Sequence, residues 1–199
     1  MPAGPNDLVT LAQAYAWLGV TAGSDDVNLQ LAISAYSQLI ADFCSRTLVS
    51  ASFSEIYDGR DMPRLILRNY PVTAVSWLTI FGVPQLLATT PYGPGYAFSG
   101  RYLDLLGGAV FPRGAQNVAI IYQAGFAVIP ADIQMACLDW LKASYLTRTN
   151  NPALVSKRAG DTEEKYQAGG AVTKVGSSTV PMPATVYATL SQYQNVVPA

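Results

Sequence analysis

Histidine is absent from all 199 residues. Its absence removes the commonest general base near neutral pH, the usual Ser–His and Cys–His nucleophile systems, and nearly all zinc sites. Only two cysteines occur, Cys44 and Cys137, too few to replace the missing ligands. Both fall in amphipathic helical patterns, where a buried free thiol is the expectation, so reduced thiols and a cytoplasmic origin follow. Charge is scarce as well: 13% of residues carry it, about half the usual share of soluble domains. Twelve basic and thirteen acidic side chains leave a net charge of −1, and no Lys/Arg run exceeds two residues (Lys157–Arg158). The electrostatic footprint of a nucleic-acid binder is therefore missing. No stretch approaches the roughly 18–20 consecutive apolar residues of a membrane span. The opening residues, with Pro2, Gly4, Pro5, Asn6 and Asp7, lack the basic and apolar regions of a signal peptide. Neither a GxxxxGK[ST] loop nor a GxGxxG after a strand occurs, so no nucleotide-phosphate cradle is evident. No cofactor or metal is expected.

What is present is hydrophobic: half of the chain, enough to bury a sizeable core. Thr10 and Gln13 have the spacing of a capping box, Leu11, Ala14, Tyr15 and Leu18 share a face, and Gly19 is placed to end that helix. Ser24, Asp25 and Asp26 open a second helix, whose stripe Leu29, Ile33, Tyr36, Leu39, Ile40 and Phe43 ends near Arg46–Thr47. From Ser50 to about Gly125 the pattern becomes β-like. Phe53–Tyr57 is read as ending in a turn at Asp58-Gly59, Arg64–Leu67 alternates, and Val72–Phe81 is β-branched and aromatic before Gly82. Tyr96–Phe98 can pair with Tyr102–Leu105 across Ser99-Gly100, Gly107-Gly108 offers another hairpin turn, and Val118–Tyr122 is a buried strand. A third helix starts near Pro130 and Asp132 and carries Ile133, Ala136, Cys137, Trp140, Leu141 and Tyr145. The segment from Ser156 to Thr179 is polar and glycine-punctuated, read as flexible or as a projecting arm. Pro183 to about Tyr193 is a short last helix. The expected fold class is α+β: a small helical core of two N-terminal helices (about 10–19 and 25–46) plus a third after the sheet (131–148), an inserted antiparallel β region, and a C-terminal arm with a short helix. The expected domains are 1–149 and 150–199.

Chemistry without histidine leaves carboxylates. Asp58, Asp61 and Asp104 lie in the β region and would support a hydrolase only if they converge in one cleft, whereas turn geometry alone explains Asp58 and Asp61. Asp161, Glu163 and Glu164 read as a solvated stretch. Tyr15, Tyr36, Trp140 and Tyr145 sit on helical stripes and are expected to pack. Tyr92, Tyr96 and Tyr102, among prolines and glycines, suit a protein–protein contact; with Trp77 they would also suit a carbohydrate- or peptide-binding module. Arg60, Arg64, Arg68 and Arg101 could form interface ion pairs or touch DNA phosphate, and without a basic surplus protein contacts or plain solubility are the expectation.

Several segments in order resemble a known family. Leu8-Val9-Thr10-Leu11-Ala12-Gln13-Ala14-Tyr15-Ala16-Trp17-Leu18-Gly19 resembles the opening helix of head–tail connector (adaptor, or head-completion) proteins of tailed bacteriophages. Asp25-Asp26 and the helix end Ile40-Ala41-Asp42-Phe43-Cys44-Ser45-Arg46-Thr47-Leu48 follow, with Ser45 in place of that family's common glycine. Leu67-Arg68-Asn69-Tyr70-Pro71-Val72 is similar to its L-R-x-x-P-V strand and turn. Tyr122-Gln123-Ala124-Gly125-Phe126, with Val128-Ile129-Pro130-Ala131-Asp132-Ile133, is similar to its entry to the third helix. The segments span much of residues 8–148, while 83–115 and the tail after Asn150 match none. The resemblance implies a structural virion protein at the head–tail junction, made in the host cytoplasm. It implies a homo-oligomeric ring, commonly of twelve subunits, under the portal protein. Such a ring extends the DNA channel without sequence-specific binding and gives a platform to a tail or tail-completion protein; no membrane is involved. In that family the C-terminal part often reaches the portal, which makes Tyr166, Val172, Val175, Val186, Tyr187, Leu190 and Tyr193 docking candidates. Arg60, Arg64, Arg68, Tyr92, Tyr96, Arg101 and Tyr102 are then candidates for subunit or tail contacts. Another tail-completion or virion assembly protein is the alternative within the same class.

Overall fold

A computed structural model describes residues 4–23, 25–149, 156–159, 162–165, 172–175 and 178–195. The chain divides into two units, one of residues 1–45 with 129–199 and one of residues 46–128. Both helices and antiparallel sheets are present, so the fold is α+β.

The first unit is built on helices. Helix α1 (Leu11–Leu18) begins with the expected capping box between Thr10 and Gln13 and ends on Gly19 in the left-handed conformation that favours glycine. Helix α2 (Asp26–Cys44) is joined to it by a polar link, since the Tyr15 hydroxyl donates to Asp26 in the first turn of α2. Ser24, expected to help open this helix, lies outside the described residues. Ser45 closes α2 at φ 53, taking the left-handed position that a C-terminal glycine usually fills. Helix α3 (Ala131–Thr149) starts directly after Pro130, whose ring fixes a helix-compatible φ and whose missing N–H leaves no orphan donor. Leu29, Ile33 and Ile40 of α2 and Ile133, Cys137, Trp140 and Leu141 of α3 are buried, and Tyr36 meets Trp140 with ring centroids 5.2 Å apart.

Helix α4 (Ala184–Ser191) belongs to the same core. Met182, Val186 and Leu190 are buried, and Tyr187 packs edge-on against Phe43 at 5.6 Å. The residues after it close onto the older helices: Asn195 N donates to the Cys44 carbonyl at 2.8 Å, and the Tyr193 hydroxyl donates to Asp132 at 2.6 Å. The polar segment before α4 contains strands that sequence reading missed. Ser156–Ala159 (strand β8) pairs with Thr162–Lys165 (β9), and Val172–Val175 (β10) pairs with Ser178–Pro181 (β11), both antiparallel. Short polar strands carry no apolar alternation, which is why they read as an arm.

The second unit is a β-sandwich. One sheet has the order β1 (Ala51–Gly59), β7 (Gly114–Ala124), β3 (Val72–Ile80), β4 (Val83–Pro84); the other has β2 (Arg64–Ile66), β6 (Tyr102–Leu106), β5 (Gly95–Ser99). A single buried cluster joins them, with Leu78, Val118, Ile120 and Tyr122 from the first sheet and Tyr96, Leu103 and Leu105 from the second. Along β1 exposure alternates residue by residue, Phe53, Glu55 and Tyr57 inward and Ser52, Ser54 and Ile56 outward. Two turn expectations are corrected. Asp58-Gly59 is not a turn, because β1 continues to Gly59, which pairs with Gly114 across a bulge. Gly107-Gly108 does not close a hairpin, since β6 pairs with β2 and β5 while β7 pairs with β1 and β3. The tight turns are Gly100-Arg101, between Ser99 and Tyr102, and Phe81-Gly82, where both residues have positive φ, as a two-residue hairpin of matching twist requires.

Candidate functional site

The carboxylates weighed for catalysis each have a local partner. Asp58 accepts from the Gln116 N–H at 2.6 Å and Asp61 from the Arg113 N–H at 2.8 Å, holding the loop before β7 against the end of β1. Asp104 takes both Arg64 donors at 2.6 and 3.0 Å, an exposed bidentate pair that keeps the guanidinium charged and lies beside the Tyr102 ring at 4.7 Å. Among the described residues no group of His, Cys, Asp or Glu could hold a metal ion, and no helix is long and apolar enough to cross a membrane. Cys44 and Cys137 are both buried and not joined in a disulfide. Burial pushes the Cys137 thiol up to about 12, the opposite of what a reactive thiolate needs, with a Ser37 hydrogen bond acting against that rise.

The most elaborate polar constellation is Glu55 with two phenols. Tyr57 and Tyr122 both donate to Glu55 Oε2, and Asn69 Nδ2 donates to Oε1. The hydroxyls in turn accept from the backbone, Tyr57 from Arg68 N at 3.0 Å and Tyr122 from Asn69 N at 3.3 Å. Burial first, then the hydrogen bond to Glu55, raises both phenols above their ordinary range. Around the next residue, Arg46 lies 4.0 Å from the Tyr70 ring and donates to its carbonyl, while Arg101 lies 4.9 Å from the same ring. Here lies the physical content of Leu67-Arg68-Asn69-Tyr70-Pro71-Val72: Leu67 and Val72 enter the core, and every residue between is tied down. The network clamps a loop.

Of the residues expected at contacts, Arg60, Arg64, Arg68, Tyr92 and Tyr102 are exposed. Arg68 rests over the Tyr57 ring at 5.3 Å, and Arg101 is half-buried against Tyr70. Tyr96 is a correction: it is 5% exposed and part of the sandwich core, placed there by its inward position on β5. Among the docking candidates, Tyr187 is exposed and Tyr193 is half-buried on Asp132, whereas Val186 and Leu190 are core residues of the helical unit. Val172 and Val175 fall in β10, and Tyr166 lies outside the described residues, as does Asp161; Glu163 and Glu164 fall in β9.

Sequence reading named Tyr92 as a contact residue but missed the exposed apolar side chains that precede it. Phe81, Val83, Leu86, Leu87 and Tyr92 are between 55% and 92% exposed, all within the hairpin and the segment that follows it. No Asp, Glu, Lys or Arg occurs anywhere between Arg68 and Arg101. That charge-free run was the available signal; Val72–Phe81 reads as strand, and the stretch after Gly82 matches no element before Tyr96. Concentrated exposed apolar surface of this kind marks contact sites for other macromolecules. A smaller pair, Val27 and Leu31, is exposed one turn apart on α2. Here, then, are a sandwich whose loops are clamped, a helical unit, and apolar surface facing outward.

Comparison with known proteins agrees with that picture. The head completion protein family matches residues 7–196. No curated protein matches the chain. Solved structures with the same fold include a chain from the neck of an empty gene transfer agent (GTA) particle computed with C6 symmetry. It is 20% identical at TM-score 0.62, covering 100% of this chain and 95% of that one. A chain from the virion of a native GTA particle is 18% identical at TM-score 0.61, covering 100% and 95%. One from the neck of a native GTA particle computed with C12 symmetry is 18% identical at TM-score 0.55, covering 98% and 96%. With 190 of its 199 positions inside the matched range, the chain belongs to the head completion protein family.

Proposed function

We propose that this chain is a head–tail connector subunit of a virion, forming a homo-oligomeric ring beneath the portal protein. The ring extends the DNA channel and offers a platform to a tail or tail-completion protein. Family membership over nearly the whole chain carries this reading. The neck positions and cyclic symmetries of the structural neighbours are consistent with it, as is the apolar surface exposed among the described residues. The role needs no chemistry, and neither the clamped Glu55 network nor the locally paired aspartates suggest any. A net charge of −1 suits a channel wall, since a strongly basic lumen would hold passing DNA through its phosphates.

Portal docking is assigned to the C-terminal region, the hairpins β8–β9 and β10–β11 and the exposed Tyr187. Deleting everything after Asn150 is a poor test, because it also strips Met182, Val186 and Leu190 from the helical core. Exchange of Tyr187 for Ser, which removes exposed ring surface together with one edge contact to Phe43, is the cleaner probe; it is expected to weaken binding to portal-bearing particles. The function is tested by particle production without the chain. DNA-filled heads and free tails should accumulate, and the purified protein should join them. Complete particles forming without it would refute the connector role.

A further inference from the structure

The chain passes between its two units twice, leaving the helical one after Ser45 and returning to it after Val128. The last four carbonyls of a helix have no partner within it. At the end of α2 the Ser45 N–H serves those of Ala41 and Asp42, and the two that remain belong to Phe43 and Cys44. Both are met from the far end of the sequence. Asn195 N donates to the Cys44 carbonyl at 2.8 Å, and Gln194 Nε2 donates to the Phe43 carbonyl at 3.5 Å. The neighbouring residues hold the returning run. The Tyr193 hydroxyl and Gln192 Nε2 donate to Asp132 Oδ2 at 2.6 and 3.2 Å, while Asp132 Oδ1 takes the Ile133 N–H in the first turn of α3. On the β side the two runs are tied to each other, Phe126 N to the Leu48 carbonyl at 2.8 Å and Ser50 N to the Phe126 carbonyl at 3.2 Å. Between these ties lie residues 45–47 on the outgoing run and 127–131 on the returning one.

We infer that residues 192–195 form a strap over both crossings at once. Seated, it fixes the end of α2 and the start of α3 together; lifted, it loosens residues 45–47 and 127–131 together. Hinges are a few element-terminal residues that absorb changes in backbone angles, and these two short stretches are of that kind. Ser45 adds to the case, because it keeps a φ of 53 that residues with a side chain rarely adopt. Such a conformation persists where its surroundings over-determine it, and the bonds to Phe43 and Cys44 are part of those surroundings. The strap is built to lift separately from the helix that carries it. Met182, Val186 and Leu190 bury α4 in the core, whereas Gln192 is exposed and Tyr193, Gln194 and Asn195 are half-buried. A chain end held by polar contacts over little buried apolar area opens at lower free energy than the core beneath it. Neither a ring nor a partner is needed, so the strap stands apart from the connector reading.

The test is amide hydrogen exchange, followed residue by residue by NMR on the full-length chain and two variants. Tyr193→Phe removes the hydroxyl bonded to Asp132, and Asn195→Pro removes the N–H bonded to the Cys44 carbonyl. Two native amides report on the crossings, Ser45 N–H on the Asp42 carbonyl at 3.1 Å and Gln134 N–H on the Pro130 carbonyl at 3.1 Å. The amides of Ile33 and Cys137, buried within α2 and α3, serve as references. Each variant should speed exchange at both Ser45 and Gln134, by roughly three- to tenfold for one lost hydrogen bond, with the references unchanged. The decisive case is Ser45 in Tyr193→Phe, because the deleted bond lies on α3 and the reporter on α2. A rise confined to the reporter beside the altered tie, or none at either, would show that no strap couples the crossings. A rise no larger at the reporters than at Ile33 and Cys137 would mean general loosening of the helical unit and would overturn the inference as well.

Discussion

Glu55 shows how a lone carboxylate can organise a loop. Two phenols and an amide converge on it from β1, β7 and the turn before β3. Hydrogen bonds to a charged acceptor contribute about 1.5–3 kcal/mol, and stripping the acceptor from a buried donor costs about 1–3 kcal/mol. Partial solvent access places Glu55→Ala at the lower end, about 2 kcal/mol of stability. Denaturant unfolding should show a lower midpoint, and adding Tyr122→Phe should recover part of the loss, because one stranded hydroxyl disappears. Cys137 makes a pH prediction. Its thiol is held up to about 12 from an ordinary value of 9.0, so the folded state keeps the proton that the unfolded chain releases. Stability is therefore full below about pH 9 and falls as pH rises toward the folded value. Tyr57 and Tyr122, also raised, add to the fall above about pH 10. Thermal melts across the alkaline range should descend, less steeply in Cys137→Ala, and the native thiol should resist labelling at neutral pH.

The elements differ in how far their sequence betrays them. Gly125 is held at φ +107, and a Cβ there would stand 2.6 Å from the Val49 carbonyl oxygen. Gly125→Ala should cost at least about 1–3 kcal/mol from backbone strain alone, seen as a lower melting temperature. Leu190 of α4 is fully buried, so Leu190→Ala should destabilise the helical unit by about 2–5 kcal/mol, more than Tyr187→Ser, whose half-exposed ring loses its edge contact with Phe43. The helices were legible because caps and stripes are local: Thr10 with Gln13, Gly19, and Pro130 each act within one turn. The core strands were legible from alternation and β-branched runs. What escaped depends on pairing between distant residues. Asp58-Gly59 has turn composition, yet its conformation is set by Gly114 and Gln116, more than fifty positions away. Likewise Tyr96 sits among turn residues, but its strand partner Leu105 and the sheet opposite bury it. The hairpins β8–β9 and β10–β11 lack apolar alternation and so gave no signal.

For the whole molecule, the features suited to contact were only partly readable. The arginines and tyrosines chosen from composition are mostly exposed, but several are engaged within the sandwich, Arg64 on Asp104 and Arg101 on Tyr70. Of the exposed apolar stretch from Phe81 to Tyr92 only Tyr92 is picked out by sequence reading, because hydrophobicity alone does not say which way a residue faces. A chain with an exposed apolar lobe and membership of the head completion family makes sense as one part of a larger assembly. Electron cryo-microscopy of the protein mixed with particles bearing its cognate portal tests this most directly. A closed ring of this chain seated between portal and tail, coaxial with the DNA channel, is the predicted result; particles whose portal carries none of it, with the chain bound elsewhere or left free, would contradict the account.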